Sequence, residues 1–201
     1  MSTMSHSSII AGPNSPGLPP SAWVARWLAR LPRGARVLDY AAGSGRHSWL
    51  AASLGMRVLA VDRDAAALAA LDETYPVGEG VETRGLDLES GPWVLAAGAF
   101  DAVIVANYLF RPRFALVCGL LAPGGILVHE TFAVGNEAFG RPSNPAFLLR
   151  EGELYERSVA AGLTVLGYES GYTEAPRPAI VQRVCAVRPP IDRRRLHVAA
   201  T

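Results

Sequence analysis

The sequence predicts an α/β fold: a doubly wound, mostly parallel sheet whose last strand runs antiparallel. Three observations predict it. Short apolar segments alternate with stretches of helical spacing along most of the chain. Those apolar segments, such as 102–106 and 126–128, carry no polar face, which suits strands covered by helices on both sides. The last two strand segments have no helix between them, so they read as a hairpin that adds one antiparallel strand. Right-handed crossovers then leave few topologies.

Residues 1–20, rich in Ser, Pro and Gly and without periodicity, read as a mobile N-terminal arm. Ser21 is placed to cap a helix over 22–31, where Trp23, Val24, Trp27, Leu28 and Leu31 fall at helical spacing. Pro32 and Gly34 break the chain before a strand over 36–40. A helix over 46–54 stops at Gly55, a fitting residue just past a helix end. The next strand, 57–61, ends in Asp62, and Asp64 is placed to cap an Ala-rich helix over 65–73. Residues 74–80 read as loop.

A short strand over 81–86 ends at Asp87. A Gly-Pro turn and a short helical stretch lead to the strongest strand, 100–106. Pro112 suits the first turn of a helix running to Leu121. Ala122-Pro123-Gly124-Gly125 reads as a turn, and 126–131 as the following strand. Residues 133–148 offer no clear secondary structure, and a loop of that length in a compact domain points to function or mobility. A helix over 151–161 ends at Gly162. Strands over 163–170 and 179–187 flank a loop with Pro176 and Pro178, and 189–201 read as a polar tail. One domain spans 21–188.

The chain has 201 residues, half of them hydrophobic and 18% charged, which fits one globular domain with a sizeable core. Its apolar runs are strand-sized, so no membrane span is expected. The beginning lacks a basic segment leading into an apolar one, so no signal peptide is expected and the cytoplasm is the expected compartment. Cys118 and Cys185 sit in apolar periodic segments and read as reduced core residues, not as a disulfide or metal ligands. No metal is expected. Net charge is +1, and all 19 basic residues are arginine. Only Arg193-Arg194-Arg195 cluster, and they read as a solvated tail rather than a nucleic-acid contact.

The chemistry centres on residues 37–48, Val-Leu-Asp-Tyr-Ala-Ala-Gly-Ser-Gly-Arg-His-Ser. An apolar strand ends in a carboxylate, and a small-residue turn opens a helix. Glycines permit close backbone approach and positive φ, and the helix start offers unpaired N–H groups. Asp39, Asp62 and Asp87 end three successive strands, which puts all three on one edge of a parallel sheet. Singly each is ambiguous. Asp39 suits bracing the glycine turn as well as touching a ligand, Asp62 could cap a helix, and Asp87 could be an ordinary loop residue.

The ligand class follows from charge. A pyrophosphate turn uses G-x-G-x-x-G, and an acidic strand end before it repels phosphate. Here Ser48 takes the third glycine's place and Asp39 precedes the turn, so the ligand should be neutral or cationic. Asp62 can accept both hydroxyls of a ribose. Asp87 can accept from the amine of adenine, with Leu88 against the ring. A cationic adenosine compound fits better than NAD, and a P-loop is excluded by the absence of lysine.

The segments VLDYAAGSGRHS, VLAVDRD, GLDLE, FDAVIVANYLF and LAPGGILVHETF resemble, in order and spacing, the class I S-adenosylmethionine-dependent methyltransferases. The resemblance covers residues 35–188 and is strongest with the branch similar to tellurite-resistance methyltransferases. It implies a seven-stranded Rossmann-like sheet, S-adenosylmethionine as methyl donor and S-adenosylhomocysteine as product. It also implies that Asp39, Ala41, Gly43 and Gly45 flank the methionine moiety, with Tyr40, Arg46 and Arg63 also among the cofactor-binding residues. Asp62 would take the ribose, Asp87 and Leu88 the adenine, and Asn107 the cofactor edge. One departure stands out, since the family's usual first glycine is Ala41 here.

Methyl transfer from a sulfonium is an in-line displacement, which positioning and desolvation can accelerate. A base is needed only for a nucleophile that arrives protonated. The candidates at the fourth and fifth strand ends are Asn107, Tyr108, His129 and Glu130. His129 reads as structural, whereas Tyr108 and Glu130 stay open as catalytic groups. The loop 133–148 and the turn 171–178 leave the same edge and suit a lid. On them Arg141 and Arg177 suit an anionic small-molecule acceptor. The Asn-Pro-Pro-aromatic motif of base-amine methyltransferases is absent, Asn107-Tyr108-Leu109-Phe110 standing in its place, so a nucleic-acid acceptor is disfavoured. The expected function is methyl transfer to a small molecule. A non-catalytic methyltransferase-like domain acting through a partner is the alternative, and the oligomeric state stays open.

Overall fold

A computed structural model describes residues 18–74 and 80–191. The expectations for 1–17, for most of the loop at 74–80 and for the tail from 192 fall outside the described residues. Ser21 caps α1 (Ala22–Leu28), its hydroxyl accepting the Trp23 N–H at 3.2 Å. The chain continues through β1 (Arg36–Tyr40), α2 (Arg46–Ser53), β2 (Arg57–Asp62) and α3 (Ala65–Thr74). Asp64 caps α3 by accepting the Ala66 and Ala67 N–H groups at 3.0 and 3.1 Å. Next come β3 (Val81–Gly85), β4 (Phe100–Ala106), α4 (Phe114–Gly119) and β5 (Leu121–Phe132). The last elements are α5 (Glu153–Ala160), β6 (Thr164–Thr173) and β7 (Ala179–Val187).

Seven strands lie in the order β3-β2-β1-β4-β5-β7-β6. β7 pairs antiparallel with both β5 and β6, and the other pairings are parallel. A two-strand hairpin can enter such a sheet only with one strand reversed, and that strand is β7. The winding changes direction between β1 and β4, which opens a crevice at their carboxyl ends.

Alternation along the strands feeds two cores. Leu38, Val103, Val105 and Leu127 point to the side holding Phe114, Val117 and Leu154 of α4 and α5. Val37, Ala102, Ile104 and Val128 point to the side holding Trp23, Trp27 and Leu50 of α1 and α2. Gly167 in β6 admits the tryptophans: a Cβ there would meet Trp27 at 2.8 Å and Trp23 at 3.2 Å.

Several expectations need correction: the helix expected to run to Leu121 ends at Gly119, with Leu121 opening β5, and β6 runs on to Thr173. Helix α1 ends at Leu28 rather than 31. Residues 91–99 form no helix; Pro92 lacks a donor, Gly98 takes φ 68°, and Leu95, buried, with Trp93, half-buried, anchors the segment on the core. The Ala-Pro-Gly-Gly turn is absorbed into β5, where pairing with β4 slips between Phe100 and Ala102. Gly125 allows the slip, since a Cβ there would come within 2.8 Å of the Phe100 carbonyl oxygen. The segment 133–148 holds two short 3-10 turns, Asn136–Ala138 and Pro145–Phe147.

Candidate active site

A cavity of about 330 Å³ opens at the carboxyl edge of the sheet. Each wall residue comes from a strand end or its following loop. Ala41 follows β1, Asp62 ends β2 and Arg63 follows it, and Leu88 and Glu89 follow β3. Asn107, Tyr108 and Leu109 follow β4, and Thr131 and Phe132 end β5. Pro142 and Phe147, from the long loop, close the far side. Glu89, Leu109, Thr131, Phe132, Pro142 and Phe147 were not singled out from sequence. The strand-end rule that marked Asp62 would also have marked Thr131 and Phe132.

The glycine turn is built as its composition requires. Gly43 and Gly45 take φ 53° and 73°, and a Cβ on Gly45 would fall 2.5 Å from Leu71 Cδ1. Ala41, where a glycine was expected, also takes the left-handed conformation at φ 62°, and Asn107 does so at φ 57°. Such residues outside glycine store strain and cluster at functional sites. Asp62 fastens the turn: one carboxylate oxygen accepts the Gly43 N–H at 2.7 Å and the other the Asp64 N–H at 3.0 Å.

Other predicted cofactor residues lie outside the cavity wall. Asp39 is buried and accepts the Ser48 hydroxyl at 2.7 Å, so it braces the first turn of α2. Burial raises its pKa to about 6. Tyr40 is buried as well, its hydroxyl donating to the Leu88 carbonyl at 3.3 Å, and burial pushes the phenol up to about 12. Arg46 donates to the Pro19 carbonyl at 2.9 Å, and burial lowers its pKa. Asp87 turns onto its own loop, accepting from the Glu89 and Ser90 N–H groups and the Ser90 hydroxyl. Those bonds hold its carboxyl well below the usual range. The structure thus leaves the adenine-amine contact expected of the Asp87 side chain without a place in the cavity wall.

The catalytic candidates separate. Tyr108 lines the cavity, but its hydroxyl is buried without a partner and its pKa is raised, chiefly by burial. Glu130 lies on the opposite side of the sheet from its neighbour His129, its carboxylate held by Arg183 Nε at 3.1 Å, so it contributes nothing to the wall. Pairing across β5 and β7 makes that ion pair. His129 is structural: Nε2 lies 3.1 Å from the Tyr108 carbonyl, the ring stacks on Phe114, and burial lowers its pKa to about 4.

Arg141 and Arg177 come together in a second, more open depression that shares Pro142 and Phe147 with the first cavity. Arg177 donates to the Arg141 carbonyl at 3.1 Å, and its guanidinium lies 5.3 Å over the Phe132 ring. Two devices hold the long loop. Asn136 donates to the Pro142 carbonyl at 3.0 Å and accepts from Ile180 N–H at 3.3 Å. Arg111 donates to the Ala146 and Leu148 carbonyls, at 2.6 and 2.8 Å, on either side of Phe147. Its anchor is Glu153, a buried carboxylate that also bonds Arg157. No group of three or more His, Cys, Asp or Glu among the described residues could hold a metal ion. No helix among them is long and apolar enough to cross a membrane.

No family model matches the sequence. Over 108 residues the chain is 42% identical to a ribosomal protein L11 methyltransferase from Thiobacillus denitrificans, covering 51% of this chain and 34% of the relative. The chain thus spans about a third of the length of the curated relatives it matches. TehB from Haemophilus influenzae superposes with a TM-score of 0.68 at 19% identity, covering 83% of this chain and 61% of that one. A Burkholderia thailandensis 1,6-didemethyltoxoflavin-N1-methyltransferase, solved with S-adenosylhomocysteine bound, gives 0.63 at 23% identity, covering 82% and 76%. Strand order, the crevice between β1 and β4 and these likenesses agree: the chain has the class I S-adenosylmethionine-dependent methyltransferase fold.

Proposed function

We propose that the protein is a methyltransferase that takes S-adenosylmethionine as methyl donor and an anionic small molecule as acceptor. The observation that carries this reading is the Asp62 carboxylate at the cavity wall, oriented by two backbone N–H groups. A carboxylate fixed that way suits the paired hydroxyls of a ribose. Leu88 offers an apolar surface for adenine, with Glu89 beside it. The left-handed backbone at Ala41 and Asn107 shapes the centre of the crevice, where a sulfonium would be held. Asp39, bound to Ser48, supports the turn from behind. A bound donor would supply an electrophilic methyl group; the chain's residues bind, orient and exclude water. A cytoplasmic setting suits the two buried, unpaired cysteines.

Calorimetry with S-adenosylmethionine and S-adenosylhomocysteine tests the reading. Saturable binding of both is expected, and a ligand at 100 times Kd stabilises the native state by about 2.7 kcal/mol. A folded sample that binds neither compound overturns it. Two other readings are tested by turnover. The relatives are named for a ribosomal protein, so methylation of a protein in place of small anions would move the acceptor class. The cavity wall also lacks an evident base at its acceptor side among the described residues, which favours a non-catalytic domain unless the nucleophile needs none. Donor consumption with any acceptor rejects that alternative.

A further inference from the structure

We infer that the acceptor is an organic carboxylate on a small apolar body, which arrives already ionised, is held by Arg141 and Arg177, and is methylated without any proton acceptor in the protein. The inference rests on the cofactor reading above and deepens it.

The first support is a census of groups that could take a proton. In the cavity wall these are Asp62, Glu89 and Tyr108. Asp62 is committed to two backbone N–H groups at the ribose end. Glu89 adjoins Leu88, at the end assigned to adenine. The Tyr108 hydroxyl is shut away from solvent and unbonded. On the acceptor side the walls are Thr131, Phe132, Pro142 and Phe147, none of which titrates in the neutral range. The nearby candidates are occupied: His129 on the Tyr108 carbonyl, Glu130 on Arg183, and Glu137 on the Gly135 N–H. Glu174, on the turn that carries Arg177, is exposed.

The second support is charge. Arg141 and Arg177 line the outer depression, and no carboxylate lines it with them among the described residues. Neither arginine forms an ion pair with a described residue. Arg177 is held in place by the Arg141 carbonyl and the Phe132 ring. A planar guanidinium so placed suits a carboxylate, whose two oxygens match its donors. Ser143 and Asn144 complete the outer depression, while the walls it shares with the cavity, Pro142 and Phe147, are apolar, so the part of the acceptor lying between the two should be apolar.

Chemistry selects among anions. A carboxyl group loses its proton near pH 4, so it is fully ionised at neutral pH, whereas a thiol (about 8.5) or phenol (about 10) is mostly protonated and needs a base. A small inorganic oxyanion would leave the apolar walls unused. The step then balances without a proton. A carboxylate lone pair forms the O–CH3 bond as the S–CH3 bond breaks, and that pair passes to sulfur, which becomes a neutral thioether. Opposite charges cancel, which a water-poor site favours. The neutral ester loses its attraction to the arginines and can leave.

The test uses the full chain saturated with S-adenosylhomocysteine. Failure of that compound to bind would overturn the cofactor reading and this inference together; normal binding lets the inference fail alone. Benzoate is titrated into the complex, with benzamide and benzyl alcohol as uncharged matches in shape. Benzoate should bind, and the uncharged pair about tenfold more weakly or worse. Arg141→Gln and Arg177→Gln should each weaken benzoate by about tenfold while leaving S-adenosylhomocysteine affinity unchanged. With the methyl donor present, methyl benzoate formation in the saturated complex should be flat from about pH 6 to 9, well above the carboxyl pKa. Absence of benzoate binding, benzamide binding equally well, or indifference to both substitutions overturns the inference. So does a rate that climbs about tenfold per pH unit near neutrality, the signature of a required base, or selenite bound at these arginines where benzoate is not.

Discussion

The Asp62 carboxylate accepts the Gly43 N–H at 2.7 Å, so the end of β2 fastens the glycine turn that follows β1. The same carboxylate faces the cavity. One side chain thereby shapes the turn and, on the proposed cofactor reading, would accept the ribose hydroxyls. Asp62→Ala should weaken S-adenosylhomocysteine by well over about tenfold and cost about 1 kcal/mol of stability, since two N–H groups lose a charged partner. Calorimetry and urea unfolding on the same sample separate the two effects. Unchanged affinity would remove Asp62 from the binding site.

Ala41 holds φ 62° where glycine would be unstrained. A left-handed alanine costs about 1–2 kcal/mol, while glycine loses about 0.4–1 kcal/mol through its freer unfolded chain. Ala41→Gly should therefore stabilise the fold by up to about 1 kcal/mol, and it opens the crevice where the donor is expected. Ala41→Val should destabilise by more than that, because a β-branched side chain tolerates this conformation worst. Urea midpoints of the three proteins give the order.

Acid should weaken the fold, and His129 should account for part of the slope. Its pKa is 6.5 in the ordinary case and about 4 here, lowered by burial. Between those values the unfolded chain binds a proton that the folded chain does not, so stability falls as pH falls through that window. His47, lowered to about 3 by burial, acts in the same direction. Asp39, raised from 3.8 to about 6, acts the opposite way, because there the folded chain holds the extra proton. Two histidines against one aspartate leave a net loss below about pH 6. His129→Gln should flatten the stability slope by one proton, about 1.4 kcal/mol per pH unit, in unfolding curves taken across that range.

Glu153 is fully buried between Arg111 and Arg157, with Arg150 N–H on the same carboxylate at 3.0 Å. The Arg111 guanidinium holds its carboxyl well below the usual range, so its stabilising contribution is present above the ordinary glutamate pKa and fades as pH falls. Glu153→Gln should cost about 2–4 kcal/mol, somewhat less than a fully enclosed pair because the arginines reach solvent. Arg111 would then lose its anchor beside Phe147. Faster proteolysis around 144–148 is the local readout, and an unchanged cleavage rate would show that Arg111 does not depend on Glu153.

By itself the sequence determined the architecture, because its signals are local. Strand segments without a polar face, Ser21 and Asp64 at helix starts, Gly55 and Gly162 at helix ends, and a missing crossover before 179–187 each act within a few residues. The strand-end rule also brought Asp62, Leu88, Asn107 and Tyr108 to one cavity. Tertiary structure alone decided which polar groups are free to act there. Ser48 takes up Asp39 and Arg183 takes up Glu130, whereas Asp87 is taken up within its own loop by Ser90 and two N–H groups, a local contact. For Glu130 the partner lies 53 residues away and meets it only through the β5–β7 pairing. A carboxylate's availability depends on its hydrogen-bond partners and burial, and a fold supplies those from distant parts of the chain. Arg141 and Arg177 show the reverse case, two loop arginines that the hairpin and the long loop bring to one mouth.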